Sequence, residues 1–588
     1  MDRQAWTAVT LCVLGLIAWQ VYTTRYAPHP VPIQATATAA PSPSMAATAS
    51  GTPAPTAAAD ANAAPAGPAE PATSAPVPTF AEKIETLSNP DVQLRLTNRG
   101  GGISEVRLLH HKGEDGKGVV VLNSPERLPI GAIVEQPAAP ALAEFAMTRQ
   151  PDGSMQFERT TPEGLVVRKR FSFPPPKYEK DNYVAEMQVD FRNDGQQPYQ
   201  LPGYFVSLGS TIPLHPKDMT TYTRLVWCLD GKAKGIDVNW FAAQKYPLVG
   251  VEKRPAQPIY RENVNAAEWG AMSNQFFTSI ITPLTTRGSE VWARRFEVKR
   301  SETETLLGME GALGMPGLEI QPGQTSSQYF QIYAGPKLYG RLARLEHDEA
   351  EIMNFGLWKL VSQALLNFMN LLHRWVGNYA IAIVVLTACV KGVLWPLQNK
   401  ANKSMRRMSA LAPKMQGLKE KYKDDPTKMN TEVMKLYKEH GVNPVGGCLP
   451  MMIQIPIFFG LFSMLGQAAE LRNASFLWVH DLSQPDTIAH LPGLGWPINI
   501  LPLIMGATNV WLMRMTPKTG DTTQQRVMMF MPLIFLFFCY NFAAALALYY
   551  TTQNLFTILQ LWQNNKQPAP VLATSAPPAG KRGKRGRS

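Results

Sequence analysis

The sequence predicts a polytopic α-helical membrane protein of six transmembrane helices, the last five forming a core, with a large antiparallel β-sandwich domain between the first helix and the rest. Three observations carry this. Residues 355–565 hold several long apolar runs separated by charged loops, and a run of about 20 apolar residues is what a helix needs to cross a bilayer. Residues 80–337 show short alternating segments broken by glycine and proline, the pattern of half-buried strands. The chain has 588 residues and a net charge of +12, and its basic residues gather in alternate loops between the apolar runs, the asymmetry that orients a membrane protein.

The first apolar run, "AWTAVTLCVLGLIAWQVY" at residues 5–22, is long enough to span. Region 1–26 is expected to be an uncleaved anchor, because the run exceeds a signal core and no A-x-A site follows it directly. A cleaved signal, with "ATATAA" at 35–40 as its cleavage site, is the competing reading. Residues 27–79 are Ala, Pro, Thr and Ser with almost no large apolar residue. Such a segment buries too little surface to offset its ordering entropy and reads as a tether.

The β region, 80–337, opens with "VQLRLTN", which alternates Val92, Leu94 and Leu96 on one face. "GGGIS" breaks that strand, and Ile103, Val106 and Leu108 resume it. Ala185, Met187, Val189 and Phe191 alternate in "YVAEMQVDF", and "SSQYFQIYAGP" closes the region at Pro336. His110 and His111 are adjacent, so they point to opposite faces of a strand. Of the five cysteines (Cys12, Cys228, Cys389, Cys448 and Cys539) only Cys228 lies in this region, which excludes a disulfide within it. No Cys/His cluster has metal-ligand spacing, and no phosphate-binding G-x-x-x-x-G-K-[ST] occurs.

Region 338–376 changes period. Leu357, Leu360, Ala364, Phe368, Leu371 and Trp375 form one helical stripe, while Lys359, His373 and Arg374 interrupt a spanning reading. An amphipathic helix in the membrane interface is expected. Region 377–565 then supplies five spans, at about 379–397, 448–467, 496–513, 527–540 and 543–562, the one at 527–540 being short. The loop 398–447 carries Lys400, Lys403, Arg406, Arg407, Lys414, Lys419, Lys421 and further lysines, and is placed in the cytoplasm. So are the loop 514–526 and the tail 566–588, which ends "KRGKRGRS" with Lys581, Arg582, Lys584, Arg585 and Arg587. The loop 468–495 carries Glu470, Asp481 and Asp486 against Arg472 and goes outside with the β domain. Both termini are then cytoplasmic. Within 398–447, Leu411, Met415, Leu418 and Tyr422 line one short helix and Met429, Val433, Leu436 and Tyr437 another. That is a helical hairpin, either folded back on itself with solvated charges or serving as a docking arm.

"VNPVGGCLPMMIQIPIFFGLF" at 442–462 combines two prolines, an Asn-Pro-x-Gly-Gly entry and Gln454 inside an apolar run. It resembles the YidC family of membrane protein insertases, related to the mitochondrial oxidase-assembly and chloroplast Albino insertases. "VGNYAIAIVVLTACVKGVLWPL", "ELRNASFLWVHDLSQPD", "VMMFMPLIF" and "LALYYTTQNL" resemble other parts of its core. "LTNRGGGISEVRLL", "WGAMSNQFF" and "YAGPK" resemble the periplasmic β-supersandwich of its Gram-negative members. The resemblance implies a non-enzymatic insertase and folding chaperone of the inner membrane, without cofactor or metal. Five helices would form a hydrophilic groove open to cytoplasm and lipid and closed to the periplasm. Lys391 matches its positive charge, commonly Arg in the family. Thr387, Gln454, Trp478 and Tyr550 match groove residues, and Phe458 and Phe538 match positions that contact the nascent segment. Implied partners are nascent membrane proteins, membrane lipids, the Sec translocon, the ribosome through the basic tail and the hairpin (Arg406, Arg407, Lys414, Lys419 and Lys421), and the signal recognition particle with its receptor.

Two departures from the family pattern stand out. Lys391 lacks the planar donor fork of an arginine. The turn before the last span, "YNFAAALALYY", lacks the family's Pro-Ser-Gly, which leaves closure of the groove's outer side open. Asn509 either lines the groove or mediates helix packing. Read from residues alone, Lys391 also fits a side chain snorkelling to the cytoplasm. A secondary transporter using Lys391 would usually show an internal repeat, which is not evident. A sugar-acting β domain would need a carboxylate and a His in one pocket, which the sequence does not reveal.

Overall fold

The computed structural model describes residues 80–566 apart from 139, 141, 175–181, 217, 246–251, 302–303, 443–444, 494 and 517–521. The anchor, the tether and the basic residues of the tail lie outside the described residues.

Alternation in the β region becomes a sandwich of antiparallel sheets. Val92, Leu94 and Leu96 are buried along Val92–Thr97, as are Ala185, Met187, Val189 and Phe191 along Val184–Asn193. Ile103, Val106 and Leu108 are buried together although their spacing changes parity. A register shift opposite Arg95 and Leu96 supplies the extra residue, as a β-bulge does. The larger sheet has nine strands, running in space from Lys232–Asp237 through Arg224–Leu229, Trp269–Ser273, Phe277–Pro283, Thr325–Pro336, Val184–Asn193, Leu165–Ser172 and Met155–Thr160 to Ala146–Arg149. A five-stranded sheet, with Gly288–Lys299 and Thr305–Met315 near its centre, packs on it, and a four-stranded sheet holds Ile84–Ser88 to Val119–Leu122. Close approach of the two larger sheets needs Gly311: a Cβ there would stand 2.7 Å from Met272 Sδ. The adjacent histidines do diverge. His110 faces Asp91 at 3.3 Å, while His111 turns to the Tyr183 hydroxyl at 3.2 Å and burial pushes its imidazole down to about 4.

Lys169 is a buried charge that the alternating pattern hides. Its ammonium donates to the carbonyls of Gly100 and Gly101 at 2.8 Å and of Gly131 at 3.1 Å, and lies 4.8 Å over the Phe145 ring. Gly100 and Gly101 have φ of 71° and 57°, backbone that favours glycine, so the Gly-Gly-Gly break is a turn wrapped on a lysine. Burial lowers Lys169 and Lys337 to about 7 each. An unfolded lysine keeps its proton to about pH 10.4. Between these values the unfolded chain binds more protons, so stability rises with pH. Thermal unfolding of the full-length protein in detergent is expected to move upward from pH 7 to pH 9. Lys169→Met should lower it at both pH values, because three carbonyls lose their donor, and should flatten the slope. A transition that falls over this window contradicts the assignment.

The C-terminal region is helical. α1 (Tyr339–Leu342) and α2 (Lys359–Val376) lead into α3 (Tyr379–Ala410), α4 (Ala412–Lys421), α5 (Pro426–Glu439), α6 (Val445–Leu465), α7 (Ile500–Met515), α8 (Thr522–Cys539) and α9 (Ala544–Asn565). α2 has two apolar faces. Leu365, Leu366, Met369 and Leu372 pack inward, where the Ser362 hydroxyl reaches Gly460 O at 3.0 Å on α6. The stripe expected from the sequence faces out at Leu360, 81% exposed, and Trp375, 80% exposed, while its member Phe368 packs against the core. An apolar stripe of this kind suits lipid.

Among the described residues, one helix, α3, is long and apolar enough to cross a membrane; Met452–Leu465 and Ile500–Met515 are shorter apolar helices. Boundaries differ from the apolar runs in an informative way. α3 continues past Leu397 to Ala410, and α8 starts upstream of its apolar run, at Thr522. Residues 497–499, read as the start of a span, are instead a strand paired with Thr487–His490. The hairpin forms as α4 and α5, closed on itself by Leu411, Met415, Tyr437 and Val442, with Val433 and Leu436 against them. Arg406 and Arg407, assigned to the hairpin from the sequence, lie on the last turns of α3.

The β domain sits directly on the helical region. Gln275 Nε2 donates to Gly466 O at 2.8 Å, and Arg472 Nη2 donates to Lys112 O at 3.0 Å with its guanidinium 5.0 Å over Phe277.

Candidate functional site

Lys391 lies on the face of α3 that packs inward, with Ala380, Ile383 and Thr387 at helical spacing on that face. Asn378 starts the helix by accepting from Ala380 N at 2.8 Å and Ile381 N at 3.2 Å, a side-chain N-cap. Thirteen residues on, about 20 Å along the axis, Lys391 is 9% exposed and donates to Thr557 Oγ1 at 3.0 Å. The Thr557 hydroxyl in turn donates to Gln553 O at 2.8 Å. The charge therefore points at a neighbouring helix and does not snorkel outward.

That neighbour, α9, carries the feature that the sequence reading missed. Gln553, Thr557, Gln560 and Asn564 stand four, three and four residues apart and so fall on one helical face. Gln454 of α6 donates to Gln553 Oε1 at 2.9 Å and to the Tyr549 hydroxyl at 3.2 Å. Gln560 donates to Asn399 Oδ1 at 2.7 Å and to Trp395 O at 3.1 Å, and Asn564 donates to Asn399 at 3.1 Å. At the far end Arg406 donates to Asn564 O at 2.6 Å. A continuous polar seam thus runs down α9 and engages α3 and α6. Groups like these are too costly to leave unpaired in an apolar surround. The spacing of "QNLFTILQLWQN" was the available signal.

The other residues named from the sequence fall in different settings. Thr387 shares the buried face of Lys391, but its hydroxyl bonds its own helix at Ile383 O, 2.7 Å. Phe458 and Tyr550 form an aromatic cluster with Phe535: their rings are 5.4 Å apart, and Phe535 lies 4.7 Å from Tyr550 and 6.2 Å from Phe458. Phe538 is outside that cluster, 64% exposed with its ring 5.8 Å from that of Phe537. Trp478 belongs to the outer loop. Its indole donates to Asp486 at 3.1 Å, and the same carboxylate oxygen accepts from Leu501 N at 2.6 Å, tying the loop to the start of α7. Asn509 acts in packing: Asn554 Nδ2 donates to it and to Thr508 Oγ1, both at 3.1 Å. Among the described residues no cluster of His, Cys, Asp and Glu is placed to hold a metal.

A polar seam on α9 thus lies beside the aromatic cluster of Phe458, Phe535 and Tyr550. The comparisons with known proteins return two family matches. The family described as "60Kd inner membrane protein" matches residues 371–570, and the family described as "YidC periplasmic domain" matches residues 85–368. A protein of Syntrophus aciditrophicus, named "Membrane protein insertase YidC", is 30% identical over 96% of this chain and 100% of its own length. A protein of Geobacter sulfurreducens with the same name is 31% identical over 81% of this chain and 85% of its own. The solved structure titled "Active YidC insertase crystal structure with the first transmembrane domain resolved" aligns at a TM-score of 0.35 and 18% identity, covering 83% of this chain and 94% of that one.

Proposed function

The chain belongs to the YidC family of membrane protein insertases, and from that premise we propose that it inserts nascent proteins into the bacterial inner membrane through a groove between α3, α6 and α9. The observation that carries this reading is Lys391, a buried cation that donates to Thr557 within a run of uncharged polar side chains on α9. Six spans are proposed, region 1–26 with α3, α6, α7, α8 and α9, with both termini cytoplasmic and the β domain periplasmic.

The chemistry follows from partitioning. The polar loop of a substrate enters the seam from the cytoplasm and meets Gln454, Gln553, Thr557 and Gln560 in place of hydrocarbon, which lowers the desolvation barrier. Lys391 attracts acidic groups in that loop, and a cation in a low-dielectric surround acts over several ångströms. The apolar segment of the substrate leaves along Phe458, Phe535, Tyr550 and the outward Phe538. α7 has 16 residues and α8 has 18, or about 24 and 27 Å, short of the roughly 30 Å hydrocarbon core. A locally thinned bilayer follows from that mismatch and shortens the crossing.

No nucleotide-binding motif accompanies this apparatus in the sequence, so the driving force is read as hydrophobic partitioning, the membrane potential and chain elongation. The basic tail and the hairpin lysines (Lys414, Lys419 and Lys421) suit ribosomal RNA or anionic lipid. Work alone or beside the Sec translocon, with delivery by the signal recognition particle, belongs to the same reading. Purified protein in liposomes tests it. A small two-span substrate added without nucleotide should become protected from protease inside the vesicles. Equal protection in protein-free liposomes would overturn the proposal.

A further inference from the structure

α9 carries the seam, yet the start of this helix has no cap of its own. Ala543 occupies the N-cap position without a side-chain hydrogen bond, and the first N–H groups of any helix need outside acceptors. The outer loop supplies them: Ala544 N donates to Gln484 O at 2.8 Å and Ala545 N to Leu482 O at 3.0 Å. Gln484 is itself gripped by the β domain. Its side-chain amide donates to Asp218 Oδ1 at 3.1 Å and lies 3.0 Å from His215 Nδ1, which itself stands 3.3 Å from the same Asp218 oxygen. The Gln484 amide, the His215 imidazole and the Asp218 carboxylate thus meet within 3.3 Å of one another. Asp218 is fixed in turn, because its other oxygen accepts from Leu214 N at 3.1 Å and His215 N at 2.9 Å. Between these groups and the turn 541–543 lies a cavity of about 60 Å³, lined by Asp218, Tyr222, Gln275, Gln484 and Phe542 among others.

We propose that Gln484 is a positioning residue through which the β domain braces the start of α9 and closes the outer end of the groove. It couples His215 and Asp218 of the domain to the helix that presents Gln553, Thr557 and Gln560. The turn without Pro-Ser-Gly is then held from above by the domain instead of by its own sequence. The link to insertion rests on the function proposed above; the brace itself does not.

Hydrogen exchange at the amides of residues 544–549, measured on the full-length protein in nanodiscs, reads the brace even in a chain that inserts nothing. Gln484→Glu sets a carboxylate against Asp218 and should speed that exchange about tenfold, the scale of a lost helix cap. Gln484→Ala and His215→Ala remove one shared contact, so the double variant should exchange no faster than Gln484→Ala. All three variants should insert substrate several times more slowly than the parent at equal abundance. Unchanged exchange in Gln484→Glu, or multiplying effects in the double variant, overturns the brace. Faster exchange with undiminished insertion overturns its role in the groove.

Discussion

A Lys391→Ala variant is expected to lose insertion of small membrane substrates with acidic outer segments by about tenfold or more, while its β domain stays folded. The size follows from Coulomb's law: a unit charge about 6 Å from an acidic group, at an effective dielectric of about 20, is worth about 3 kcal/mol before solvent screening. Folding should be spared because Lys391 makes one hydrogen bond, to Thr557, and that hydroxyl keeps its own acceptor at Gln553 O. Lys391→Arg restores the charge and should retain most of the activity; Lys391→Met keeps the apolar stem and should not. Insertion into vesicles by the purified variants separates the cases. Equal activity in Lys391→Met and the parent would remove the charge from the mechanism.

The second large effect is expected from the seam. Gln553→Leu with Gln560→Leu makes α9 more apolar, so membrane integration and abundance should hold. Gln454 and Asn399 each lose a partner, and a substrate loop meets hydrocarbon where it met amides. Each lost hydrogen bond to an unpaired polar group costs about 1–3 kcal/mol, so insertion should fall by at least the factor seen for Lys391→Ala. A Thr557→Cys probe adds a readout of wetness. It should react with a polar maleimide from the cytoplasmic side in the parent background and much more slowly in the double variant. Equal labelling in both would mean that these amides do not hold the water.

The sequence disclosed the β sandwich because period-two burial leaves a plain mark: Val92, Leu94 and Leu96 were identifiable before any coordinates. The bulge that lets Ile103, Val106 and Leu108 share a core was not, since a bulge is a property of the paired strands. Lys169 escaped for a related reason. Nothing local distinguishes a solvated lysine on a strand from one enclosed by the carbonyls of two distant glycine turns. In the helical region, apolar runs report contact with lipid and say little about where hydrogen bonding stops, so α3 outruns its apolar stretch. Lys391 and Gln454 were found because charge and amide are rare in such runs. The stripe on α9 was overlooked because no single member of it is unusual; only the four-three-four spacing is. The clamp between Gln484, His215 and Asp218 joins residues more than 260 positions apart and had no sequence signal at all.

The central claim is that a nascent chain passes between the polar seam and the aromatic wall. Photocrosslinking tests it most directly. With a photoreactive residue at Phe458 or at Gln454, and ribosomes stalled partway through a two-span membrane protein, crosslinks are expected at both positions. They should be ordered: Gln454 traps the polar loop, and Phe458 traps the apolar segment of longer chains. Absence of nascent chain at both positions, with crosslinks from an outward control such as Trp375, would contradict the account.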